Sequence, residues 1–191
     1  MATENGLFWR SLRGGVIVVL LAGLLGWAAE KKSAEPKIAF SKTTVDFGLV
    51  VSDIEKSVAF YKNALGCTEL EGFDVPGDFA ADSGLADGHA FHVHVMVLGD
   101  RDDATKIKLM QFKDAPGKKI DQAYIHSSLG MSYMTIFVED VAASVALAKK
   151  HGANPLAKGP VRLPKGFPQD IVLACVKDPD GNIIELVGPT K

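Results

Sequence analysis

One ten-residue pattern occurs twice in this chain. Val51–Phe60 (VSDIEKSVAF) aligns with Val138–Leu147 (VEDVAASVAL), with the same Val, Asp, Ser, Val and Ala at five positions. Self-similarity at this separation marks a supersecondary unit that occurs twice and whose copies bury their apolar faces together. Any fold proposed for the chain has to contain that unit in duplicate.

Each copy follows a strand-like run, VDFGLVV (45–51) in the first and YMTIFV (133–138) in the second, and then reads as a helix. In the first, Ser52 or Asp53 caps the helix, and Glu55 stands in capping-box position relative to Ser52. Ile54, Val58, Tyr61 and Leu65 give it one apolar face, and Gly66 ends it. The second runs from Asp140 to a stop at Gly152, with Val141, Val145 and Ala148 inward. Three strands are expected after each helix: Thr68–Phe73, Ala90–Leu98 and Lys106–Phe112, then Pro155–Ala157, Ile171–Val176 and Asn182–Val187. The turn Asp178-Pro179-Asp180-Gly181 separates the last two as a hairpin, which makes both aspartates turn formers first. Gly72–Gly88 and Lys158–Pro168 are expected to be long loops able to cover a pocket.

With 47% hydrophobic and 23% charged residues among 191, the chain is globular in composition. A net charge of −2 and no basic stripe give no reason to expect nucleic acid or an anionic membrane surface as a partner. Cys67 and Cys175 form no CxxC pair; they read as two buried thiols, with a disulfide as the alternative. The first thirty residues differ in kind. Arg10 and Arg13 precede the apolar run Gly14–Ala29 (GGVIVVLLAGLLGWAA), followed by Glu30-Lys31-Lys32. This fits a signal peptide, with an uncleaved short anchor as its competitor. Either places the rest outside the cytoplasm, and in the second case the membrane is met only through this segment. Residues 1–36 therefore stand apart from a first module at 43–113, a linker at 114–130 and a second module at 131–190.

The opening of the first module, strand then Val51-Ser52-Asp53 then a helix with Phe60-Tyr61 and Leu65-Gly66, resembles that of vicinal oxygen chelate proteins. The closing DPDGNIIEL (178–186) resembles the end of such a module. The resemblance implies an α+β fold, two βαβββ modules forming a half-barrel of the glyoxalase/bleomycin-resistance type around a concave pocket. It also implies a small-molecule substrate or ligand, and it admits a homodimer, although two modules in one chain can complete a pocket.

Metal-dependent members of that family carry His or Gln on the first strand of a module and Glu on its last. Strand alternation turns Phe47, Leu49 and Val51 to the helix and Asp46, Gly48 and Val50 to the pocket. The matching positions are then Asp46, Lys108, Tyr133 and Glu185. A divalent ion (Zn, Fe, Mn or Ni) would find two carboxylates there and a lysine where a ligand should be. In Phe91–Val97 the alternation expects His92, His94 and Met96 on the pocket side. The two imidazoles would either share a displaced metal with Asp46 or Glu185, or lie on a polar sheet surface. His126 is placed to reach inward as well. Tyr133 either orients a substrate oxygen or lines an apolar wall, and Met96, Met110 and Met134 read as packing.

Three functions follow. In the first, an enzyme of lyase, isomerase or dioxygenase type uses Asp46 or Glu185 as general base, with Lys108 or Tyr133 stabilising an oxyanion. In the second, a metal-free binder of the bleomycin-resistance type sequesters a small molecule. In the third, a surface interaction module has its pocket filled by side chains.

Overall fold

The computed structural model describes residues 39–101 and 103–191, and Phe40–Lys191 makes one unit. The expected signal peptide or anchor at 1–36 lies outside the described residues. Among the described residues, no helix is long and apolar enough to cross a membrane.

The duplicated Asp of the repeat does the same work twice. Asp53 is extended (φ −145°) and its Oδ1 accepts the N–H of Lys56 at 3.1 Å. Asp140 is extended (φ −150°) and its Oδ1 accepts those of Ala142 and Ala143 at 2.9 and 3.2 Å. Each thereby satisfies N–H groups that the first helical turn leaves unpaired. Strand β1 (Phe47–Val50) leads into helix α1 (Ile54–Ala59), which widens into a π-helical turn over Phe60–Ala64. The module continues with β2 (Thr68–Val75), the short helix α2 (Gly77–Asp82), β3 (Phe91–Val97) and β4 (Lys106–Met110). The second module has β5 (Tyr133–Phe137), α3 (Val141–Lys150), β6 (Val161–Arg162), β7 (Ile171–Lys177) and β8 (Ile183–Pro189).

The strand orders are β1-β4-β3-β2 and β5-β8-β7-β6, the same arrangement twice. In both, the first and last strands of the module run parallel and the other pairs antiparallel. These are two βαβββ units. Two segments depart from expectation. Gly72–Gly88 holds the end of β2 and helix α2 as well as loop. The strand expected at Pro155–Ala157 is instead Val161–Arg162; Pro155 has no N–H to give to a ladder, and Leu156 alone there bonds β7, through Cys175 O at 2.9 Å.

The two inner faces share one core. Tyr61, Met96, Ile107 and Leu109 from the first module pack in the same cluster as Val141, Ala148, Val176, Ile184 and Leu186 from the second. A second, smaller cluster lies on the other face of the first sheet, where Ala80 of α2 packs with Val75, Val93 and Val95. The closing turn of the second module reaches across to the first. Asp178 Oδ2 accepts from Tyr61 Oη at 2.9 Å, and the Asp180 carboxylate accepts the Ser52 N–H at 3.1 Å.

Candidate functional site

Ladder register fixes which side chains share a face. Lys108 is opposite Gly48 on one side and Val95 on the other, so its ammonium rises from the outer face of the first sheet, away from the shared core. Gly48 carries no side chain to intervene, and Asp46 Oδ2 lies 3.0 Å from Lys108 Nζ. Asp46 Oδ1 also accepts the Lys106 N–H at 3.2 Å. The Lys108 hydrogen bond, ahead of the backbone bond, holds the Asp46 carboxyl below its ordinary range.

The corresponding face of the second sheet carries Tyr133, Thr135, Phe137 and Glu185. Glu185 sits between Thr135 on β5 and Cys175 on β7. Thr135 Oγ1 donates to Glu185 Oε2 at 2.7 Å. Burial, and then the Glu185 charge, push the Cys175 thiol up. Thr135 and Cys175 are the neighbours that sequence reading missed. The signal was available in principle, because both lie on the pocket-facing phase of their strands, but only the register shows that they flank Glu185.

A cavity of about 640 Å3 lies against this face, with Leu173, Cys175, Lys177 and Ile183 as its floor and Tyr124 and His126 on its rim. The His126 ring stacks on that of Tyr124 at 5.6 Å, both of them exposed residues in the lining of this cavity. Lys177 Nζ donates to Gln122 O at 2.6 Å and so ties down the middle of the linker, just before the rim residues. A second cavity of about 660 Å3 opens where Ser52, Gln111, Lys119 and Asp180 meet.

His92 and His94 are not where the alternation put them. Met96 pairs with Ile107 and belongs to the shared core, His94 pairs with Leu109, and it is Val95 that pairs with Lys108. The two imidazoles therefore project from the opposite face to Asp46 and Lys108. The physical reason is that both faces of β3 are covered. Helix α2 lies over Val93 and Val95 while the core takes Met96, so neither face is marked by polarity. A displaced metal shared by His92, His94 and Asp46 is not assembled.

Nor do the four family positions meet. Each outer face lies on the far side of its own sheet from the common core, and among the described residues no hydrogen bond or ion pair joins Asp46 or Lys108 to Tyr133 or Glu185. Among those residues no three His, Cys, Asp or Glu side chains converge as a metal-holding group. A divalent ion at Asp46 would compete for a carboxylate whose Oδ2 already holds the Lys108 ammonium at 3.0 Å. Lysine has three donors and no acceptor. The residues present do not fit the metal that the fold would imply. Cys67 and Cys175 are both free thiols, Cys67 in the core and Cys175 on an outer face.

Residues 43–186 match the Glyoxalase/Bleomycin resistance protein/Dioxygenase superfamily. Over 140 residues the sequence is 29% identical to a protein of Neisseria meningitidis serogroup A named lactoylglutathione lyase, spanning 73% of this chain and 85% of that one. The fold is similar to that of a glyoxalase family protein from Bacillus cereus, with a TM-score of 0.65, 20% identity, and 81% and 98% of the two chains covered. It is also similar to the trypanothione-dependent glyoxalase I of Leishmania major, with a TM-score of 0.53, 27% identity, and 78% and 87% covered.

Proposed function

The chain belongs to the glyoxalase/bleomycin resistance protein/dioxygenase superfamily, and on that premise we propose that it binds a small oxygen-rich molecule without a divalent ion. The observation that carries the reading is the Lys108–Asp46 pair at 3.0 Å. The Lys108 ammonium, oriented by the Asp46 carboxylate, offers this face a cationic hydrogen-bond donor in place of a metal. Its remaining N–H donors are free to meet the oxygens of a ligand. The cavity against Leu173, Cys175 and Ile183 provides an apolar wall next to Glu185, in keeping with the mostly apolar linings of small-molecule sites.

Lys108 and Glu185 stand on different sheets of one chain, and both outer faces expose aromatic rings, Phe73 at 48% and Phe137 at 80%. We extend the reading to a homodimer in which the first sheet of one copy covers the second sheet of its partner. The N-terminal sequence supports a site of action outside the cytoplasm.

A second reading is favoured by Glu185 itself. Its carboxylate is oriented by Thr135 Oγ1 at 2.7 Å, and its chain is similar to one named for a lyase. In that reading Glu185 removes a proton beside a carbonyl. One experiment separates the two: calorimetric screening of oxygenated small molecules in the presence of chelator, with each hit then followed by proton NMR. Saturable binding lost in Lys108→Met, with the ligand unchanged, supports the binder. Turnover lost in Glu185→Gln supports the base. If Lys108→Met binds as the parent does, the proposal fails.

A further inference from the structure

We propose that His92 and His94 form a second, independent site, a two-imidazole chelate for a borderline divalent transition ion such as Cu2+, on the face of the first sheet opposite Lys108. The two residues are alternate positions of β3, and their rings lie 4.8 Å apart, centre to centre, at 75°. The side chains are 47% and 33% exposed, so water reaches them to complete a coordination shell.

What distinguishes the pair from two surface histidines is the carboxylate behind each ring. Asp74 Oδ1 lies 2.7 Å from His92 Nδ1, and Glu69 Oε1 lies 3.6 Å from His94 Nδ1. Asp74 is the direct cross-strand partner of His92, so this contact is set by register. Glu69 lies beside His94 without a hydrogen bond, while the Asp74 carboxylate on His92 Nδ1 orients that ring and favours the tautomer in which Nε2 keeps its lone pair. This is the arrangement by which metal-ligating histidines are oriented and made more basic. Backbone shape helps: β2 shifts register between Leu70 and Phe73. Gly72 lies under the His92 ring, where a Cβ would come within 2.6 Å of His92 Nε2.

The charges facing the pair are Asp74, Glu69 and Lys62, whose Nζ holds the other oxygen of Glu69 at 3.2 Å. Two carboxylates against one ammonium leave the site favourable to a cation. Two Nε2 atoms bound to one ion at their usual lengths stand roughly 3 Å apart, so an ion has to draw the two rings, 4.8 Å apart here, toward each other. Imidazole suits Cu, Zn and Ni, and for a nitrogen site Cu2+ binds most tightly. With two protein ligands the ion exchanges readily and does not serve as a structural staple.

The test is Cu2+ titration of the full-length chain, read by electron paramagnetic resonance and by calorimetry. One Cu2+ per chain with nitrogen couplings from two imidazoles is expected. His92→Ala and His94→Ala should each weaken binding at least tenfold. Asp74→Asn, which leaves both rings in place, should weaken it on the order of tenfold. Glu185→Gln should bind as the parent does. No stoichiometric uptake, uptake that survives the double His92→Ala/His94→Ala change, or uptake lost in Glu185→Gln would each overturn the assignment. The outcome is independent of the small-molecule reading, which concerns Lys108 and Glu185 on the other faces.

Discussion

Tyr61, buried in the helix of the first module, donates its phenolic proton to Asp178 in the last turn of the second, Oη to Oδ2, at 2.9 Å. Asp178 also accepts the N–H groups of Asp180 and Asn182 and the Asn182 side-chain amide, at 3.0, 2.8 and 2.7 Å. One carboxylate thus shapes the hairpin and ties it to the other module. Tyr61→Phe removes one of four donors and should cost about 1 kcal/mol; Asp178→Ala strands all four and should cost roughly 3 kcal/mol. Urea denaturation with an unchanged m-value would check both, and equal losses would show that the Tyr61 bond, not the turn, carries the effect.

Lys108→Met removes the partner that holds the Asp46 carboxyl down. In the parent the Lys108 hydrogen bond holds that carboxyl below its ordinary range; in the variant it should return toward that range, which carbon-detected NMR reads directly. A depressed folded-state value contributes stability that is present above the unfolded value and lost as pH falls through the folded one. The parent should therefore lose this increment only below about pH 4, and the variant should show no such loss. Because the pair is about one-third exposed, the effect on stability stays under roughly 1 kcal/mol.

The two repeat serines should respond in opposite directions. Ser144 Oγ donates to Asp140 O at 2.8 Å, whereas Ser57 Oγ is buried with no protein partner. Ser57→Ala deletes an unsatisfied hydroxyl and should raise stability by about 1 kcal/mol, while Ser144→Ala should lower it by about 0.5 kcal/mol. Thermal melts decide; destabilisation by Ser57→Ala would mean that its hydroxyl has a partner in solution.

Thiol chemistry reports on Glu185. Burial holds the Cys67 thiol up at about 11, and Cys175 is raised by burial and by the Glu185 charge. Native protein should react slowly with a disulfide reagent at pH 7. Glu185→Gln should accelerate the Cys175 reaction several-fold by easing thiolate formation, with Cys67 unmoved. An unchanged rate would place the Glu185 charge too far away to act.

If a second copy completes the site, the native protein should sediment as a dimer at micromolar concentration. Phe137→Asp, which sets a charge on the most exposed aromatic of the second sheet, should shift it toward monomer and weaken ligand binding in parallel. A monomer at all concentrations would remove the shared-site arrangement.

Much of this architecture was legible because the repeat put a capping aspartate at both helix starts and alternation sorted β1 correctly. Asp46 stands on the outer face, where alternation along β1 put it, and Lys108, Tyr133 and Glu185, which the family resemblance singled out, also lie on outer faces. The reading failed at β3, where apolar residues occupy both phases of the strand, and two histidines were assigned to the wrong side. It failed again at Gly77–Asp82, because six residues rich in Gly and Asp carry too short a pattern to show a helix. That the four positions divide between two outward faces was not visible either. Which faces two modules turn toward each other is decided by the whole apolar surface and not by a local motif.

The common core has a further consequence for how the polypeptide tolerates being cut. Tyr61, Leu109, Ile184 and Leu186 lie in one cluster although the chain between them passes through the exposed stretch 114–130. Proteolytic nicking within that stretch should leave two fragments that remain associated and co-purify, and separately expressed halves should find each other only when mixed. The molecule is a natural split pair held on a tether.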